Sequence, residues 1–119
     1  MKKTEASKTS RIMQYLRSDL CPIGTCAIEV KVVKGKKYYA NQLKEHQVRA
    51  LYLTKYKKLC HKIPDAGYQN PFDIFILKEQ PAYVALLVDK CCYILDYEHA
   101  TKNLDVVDIV KLAKFSCKI

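Results

Sequence analysis

Glycine is scarce in this chain. Three glycines, Gly24, Gly35 and Gly67, serve all 119 residues. A glycine-rich loop cradling phosphates is therefore excluded. Proline is nearly as rare, at four residues, and there is no linker, internal repeat or low-complexity stretch. The longest apolar run is 82–88, far short of the roughly 20 residues that span a bilayer. No apolar segment follows the opening Met1-Lys2-Lys3, so the start does not read as a secretory signal. No Cys-x-x-Cys pair exists among Cys21, Cys26, Cys60, Cys91, Cys92 and Cys117. These are read as reduced thiols of an intracellular protein rather than as a zinc site or a disulfide framework. His46, His61 and His99 lack regular metal-ligand spacing.

Negative charge is the other shortage. Lys and Arg number 21 against 12 Asp and Glu, a formal net charge of +9. The imbalance lies in one half, since residues 1–62 hold 15 basic and 4 acidic residues, and the remainder 6 and 8. A basic half beside a mildly acidic one suits a polyanionic partner, of which nucleic acid is the commonest. Half the residues are apolar, and a chain of this length supports one domain with a real core.

Residues 26–33 (CAIEVKVV) carry the most information. They are rich in β-branched residues and read as a strand. Alternation puts Ile28, Val30 and Val32 on one face, and Ala27, Glu29, Lys31 and Val33 on the other. An acid and a base thus sit side by side in a core-type strand. The choice is between a local ion pair on a wet face and a site.

The flanking segments supply further polar residues at positions that the pattern makes apolar. A first helix is expected over Thr4 to Leu20, with Glu5 at the N-terminal end of its buried stripe. The turn Lys34-Gly35-Lys36-Lys37 is basic. A long helix is expected from about Asn41 to Cys60. Its inward stripe is Leu43, Gln47, Ala50, Leu51 and Thr54, with Gln47 the odd member, and Lys44, Arg49, Lys55, Tyr56, Lys57 and Lys58 lie on its other side. A loop from His61 to Pro71 follows. Three strands, 72–77, 82–88 and 91–95, are then expected as an antiparallel meander, with Asp73 entering the first. The last expected helix runs from Leu104 to about Phe115, capped by Asp105, with an apolar stripe of Val106, Ile109, Val110 and Ala113. The fold class is α/β or α+β: one compact domain with a mixed sheet flanked by helices.

Glu29, Lys31, Asp73, Gln47 and Glu5 thus form a set. Carboxylates facing a lysine suit a hard divalent cation, Mg2+ or Mn2+, and phosphodiester hydrolysis. The order helix with acid, strand with Glu-x-Lys, helix with Gln resembles the PD-(D/E)XK nuclease superfamily. Glu29-Val30-Lys31 followed by Glu45-His46-Gln47 is similar to the archaeal and RecU-type Holliday junction resolvases, over roughly residues 5 to 96. The resemblance implies a restriction-endonuclease-like sheet, Glu29 as metal ligand, Lys31 as catalytic lysine, Gln47 in support and Glu5 as the helix-borne acid. It also implies branched DNA as substrate and a homodimer. The family's Asp precedes the Glu-x-Lys strand, where this chain has only Asp19. Asp73, on a later strand lying beside that of Glu29, is the expected substitute, with Asp65 second. Lys34, Lys36, Lys37, Arg49, Lys55 and Lys58 are the expected DNA contacts. The alternative is a basic nucleic-acid-binding protein without catalysis, using the same lysines with Tyr38, Tyr39, Tyr52 and Tyr56. A third reading is a small interaction protein whose charge only maintains solubility.

Overall fold

The computed structural model describes residues 11–12, 14–15, 23–62 and 74–118. In chain order its strands and α-helices are β1 (Ala27–Val32), β2 (Lys37–Tyr38), α1 (Glu45–Tyr56), β3 (Lys58–Lys62), β4 (Ile74–Lys78), β5 (Ala82–Val88), β6 (Cys91–Asp96), β7 (Leu104–Asp105), α2 (Val106–Leu112) and β8 (Phe115–Lys118). Short 3-10 turns at Ala40–Gln42 and His99–Thr101 punctuate them. The main sheet has the order β1-β5-β6-β8, with β1 parallel to β5 and the other pairs antiparallel. β2 pairs with β7, and β3 with β4, in two small antiparallel ribbons. The chain is one compact α+β domain.

β5 is apolar throughout, and every residue but Val88 is buried. A strand of this kind needs cover on both faces. Ala82, Val84 and Leu86 face one way, packing with Leu43 and Leu51 around α1 and with Ile109 of α2. Tyr83, Ala85 and Leu87 face the other way, against Ile12, Cys92 and Ile94. β1 continues the same division. Ile28, Val30 and Val32 join the Ile12 side. Ala27 joins the α1 side, so Glu29 and Lys31, in phase with it, face α1. The tight turn at Asp89 and Lys90 closes the β5–β6 hairpin, with Asp89 at φ 52°, a backbone region that Asp tolerates.

The structure corrects several expectations. The long helix runs only from Glu45 to Tyr56, because Leu43 is extended before it and Lys57 breaks it. Leu59 and Cys60 then alternate into β3, opposite Leu77 and Ile76. The bend after β4 closes the end of α1, as Glu79 and Gln80 donate their N–H groups to the carbonyls of Lys57 (3.1 Å) and Thr54 (2.9 Å). The meander is therefore only the β5–β6 hairpin. β4 pairs with β3, and the neighbour of β1 is β5. Asp73 was expected on a strand beside Glu29, yet the strand it was to enter is β4, in the other ribbon. Asp73 itself, Asp65, Glu5 and most of the first expected helix lie outside the described residues. At 11–12 and 14–15 the chain is helical, and Ile12 is buried as expected.

At the C-terminal end, α2 stops at Leu112. Lys114 donates its N–H to the carbonyl of Ile94 (2.8 Å), and β8 joins the edge of β6. Asp105 caps α2, its side chain accepting from the Asp108 N–H. On the apolar stripe, Ile109 is buried but Val110 is exposed. Among the described residues no helix is long and apolar enough to cross a membrane.

Tyr38 was a possible nucleic-acid contact, but it is fully buried and its hydroxyl donates to the carbonyl of Ala100 at 2.6 Å. Burial pushes that hydroxyl up from 10.0 to about 12. The unfolded tyrosine therefore loses its proton first as pH rises. Stability from this group is complete below pH 10 and falls by about 2–3 kcal/mol as pH approaches 12. Tyr38→Phe is expected to cost about 1–3 kcal/mol at neutral pH, by orphaning the carbonyl, and to flatten the decline above pH 10. Urea unfolding across the pH series checks both; a neutral cost of zero with an unchanged slope contradicts this role.

Candidate functional site

Glu29, Lys31 and Gln47 meet between β1 and α1. Lys31 Nζ lies 3.6 Å from Glu29 Oε1. The lysine side chain is 12 % exposed and the glutamate 31 %. Gln47 reaches across from the first turn of α1, and its Nε2 donates to the same Oε1 at 3.0 Å. Glu29 Oε2 has no hydrogen bond or ion pair among the described residues. The register explains the convergence. Glu29 pairs with Val84 and Lys31 with Leu86, and these strand partners pack beneath α1.

The orientation of the Gln47 amide follows from its second bond. Its Oε1 accepts the Lys44 N–H at 3.0 Å, which satisfies one of the free donors at the helix start. A backbone N–H can only donate, so the oxygen must face Lys44 and the NH2 must face Glu29. One side chain thereby ends a helix and steers a carboxylate. The odd polar member of an apolar stripe has its explanation here.

Gln42, which the sequence reading passed over, does the same one turn earlier. Its Oε1 accepts the Tyr39 N–H at 3.3 Å, and its Nε2 donates to the Val32 carbonyl at 2.9 Å. The two glutamines thus hold the end and the middle of β1 against the segment that enters α1. Their spacing of five residues and common position three residues after a helix cap were the available signal.

A cavity of about 280 Å³ opens beside Glu29 and Gln47, walled by Ala50, Leu51 and Leu59, with exposed His46 at its margin. Among the described residues, no group of three His, Cys, Asp or Glu is placed to hold a metal. Of the oxygen donors a hard cation asks for, Glu29 supplies one carboxylate. Asp73 and Glu5, the other expected ligands, are outside the described residues.

The expected phosphate contacts are dispersed. Lys34, Lys36 and Lys37 are exposed just beyond the end of β1, with Lys37 Nζ 5.8 Å from the Tyr39 ring centroid. Arg49 is exposed on α1. Lys58 is exposed on β3 rather than on a helix, directly opposite Lys78. Lys55 is not a free cation. It pairs with Glu98 at 2.5 Å and Asp96 at 3.2 Å, and Glu98 above all holds its ammonium well above the usual lysine range. The Tyr56 hydroxyl also donates to Glu98. That network joins residues 42 positions apart, and nothing in the local pattern announced it.

Comparison with protein-family models, curated proteins and solved structures returned no match for this chain. The coupling between Gln47 and Glu29 is directly measurable. Gln47→Ala, which also removes the bond to the Lys44 N–H, is expected to cost about 1–2 kcal/mol. A double-mutant cycle with Glu29→Ala is expected to give a coupling of about 0.5–1.5 kcal/mol by urea unfolding. Strict additivity would show that the 3.0 Å contact contributes nothing.

Proposed function

We propose that this chain is a metal-dependent phosphodiester hydrolase acting on DNA, in the manner of the PD-(D/E)XK nucleases. The observation that carries the reading is the single Glu29 oxygen approached by both Gln47 and Lys31. In this proposal Glu29 is a metal ligand through its open Oε2, and Gln47 is a positioning residue. A second acid would have to complete the ligand set, and Asp73 and Glu5, both outside the described residues, are the candidates. A bound Mg2+ or Mn2+ would polarise a phosphoryl oxygen and make a bound water more acidic. Lys31 supplies fixed positive charge beside the attacked phosphate, where negative charge develops. Its low exposure keeps that charge poorly screened by water and salt.

The substrate proposed is branched DNA, handled inside the cell. Cutting two strands symmetrically calls for a homodimer. A second reading, binding without catalysis, is favoured by one observation: among the described residues no group of three His, Cys, Asp or Glu is placed to hold a metal.

The test is cleavage of a labelled four-way junction and a matched duplex, each with Mg2+, Mn2+ or EDTA. Wild type is expected to cut in either metal, to prefer the junction, and to stop in EDTA. Lys31→Ala should lose at least about 100-fold in rate while binding DNA as before. Binding without cleavage, equal in both proteins, leaves the non-catalytic reading. The competing role for Lys31, a structural ion pair, predicts a loss of stability with no effect on any rate.

A further inference from the structure

The face of α1 turned away from Glu29 carries a second concavity. Val48, Arg49, Tyr52 and Tyr56 line one wall of an open groove of about 790 Å³. Tyr97 and Lys102, from the segment after β6, line the other. Tyr52 and Tyr56 stand one helical turn apart, 44 % and 45 % exposed, with ring centroids 5.3 Å apart and planes tilted by 47°. Tyr97 is nearly buried behind them. The volume suits a ligand of a few rings.

The charges in the groove fall into two classes. Glu98 is engaged: Lys55 and the Tyr56 hydroxyl both bind its carboxylate. Lys55 in turn lies 5.3 Å from the Tyr56 ring centroid and 5.7 Å from that of Tyr97. This network braces the rings from within. Arg49 and Lys102 are different. Both are exposed, and neither has a carboxylate partner among the described residues. Among the described residues Glu45 is the one acid lining the groove outside the network, and it sits in the first turn of α1, where the helix dipole favours it.

Half-exposed aromatic faces flanked by two unpaired cations call for a planar, weakly polar ring that carries an anion. We infer that this groove binds one unpaired nucleotide of a single strand, the base stacking on Tyr52 and Tyr56 and the flanking phosphates meeting Arg49 and Lys102. Stacking on tyrosine accepts any base, and an arginine fork suits a phosphate. The inference rests on the nucleic-acid reading above and deepens it. A branched substrate offers unpaired bases that plain duplex does not, and a groove of this kind selects them away from the Glu29 site.

The test is fluorescence anisotropy with a labelled eight-residue oligothymidylate and with an abasic strand of equal length, in EDTA. The proteins are wild type, Tyr52→Ala, Tyr52→Phe, Arg49→Ala and Lys31→Ala. Wild type is expected to bind the thymidylate well above the abasic strand. Tyr52→Ala should weaken thymidylate binding by roughly 5- to 150-fold and leave abasic binding unchanged. Tyr52→Phe, which keeps the ring, should bind as wild type does. Arg49→Ala should weaken both strands and flatten the salt dependence. Lys31→Ala should bind like wild type, which separates this groove from the Glu29 site. Equal binding of thymidylate and abasic strands, or indifference to Tyr52→Ala, overturns the groove and leaves the nuclease reading standing. Wild type that binds neither strand nor the four-way junction overturns both. Binding of a proline-rich peptide that Tyr52→Ala abolishes, with thymidylate unaffected, overturns the nucleotide in favour of a protein partner.

Discussion

Everything in this fold depends on the burial of β5. Its seven apolar residues have no wet face, so two layers must cover them. One layer is built on α1 and α2; on the other side the segment of Ile12 packs on the apolar face that β5 shares with its sheet neighbours β1, β6 and β8. Burial of this apolar surface is the dominant favourable term in a domain of this size. It sets the position of β1, which borders β5 in parallel and so must present alternate residues to each layer. Glu29 and Lys31 fall on the α1 side for that reason alone. The polar pair is held where it is by the apolar residues interleaved with it.

Within that frame, the polar groups are arranged economically. The Gln47 amide has one oxygen and one NH2, and each has a single partner dictated by chemistry. Gln42 repeats the device on the Val32 carbonyl. Lys55 and Tyr56 of the same helix form a separate network with Asp96 and Glu98, directed away from Glu29. The helix therefore separates two polar regions, one organised around a carboxylate with an open oxygen and one around tyrosine rings.

Much of this was legible wherever periodicity alone decides. The alternation of Ile28, Val30 and Val32 against Glu29 and Lys31, the buried run at 82–88, and the Gln47, Ala50, Leu51 and Thr54 part of the inward stripe all appear in the structure, while Leu43 is buried from the extended segment before the helix. What periodicity could not carry was pairing. Lys58 to Cys60 continue a helical pattern on paper, but the ladder with Ile74–Lys78 outweighs that preference. Asp73 was expected on a strand beside Glu29 because the resemblance asks for an acid on a neighbouring strand. Here β4 turns back to β3 instead. β8 was hidden because 104–115 reads as one helix, whereas the chain leaves α2 at Ala113 in an extended conformation and returns to β6. The candidate site was legible in its near half, on β1 and α1. The acids expected at Asp73 and Glu5 lie outside the described residues.

The parallel pairing of β1 with β5 also bears on how the domain assembles. Ala27 and Ala82 are register partners more than fifty positions apart, while β5 and β6 are joined by a two-residue turn. Closing so long a loop costs more entropy than closing the hairpin, so the β1–β5 ladder is the pairing that the rest of the core must support. Glu29 and Lys31 meet Gln47 only where that ladder is formed, which ties the order of the charged site to the docking of β1.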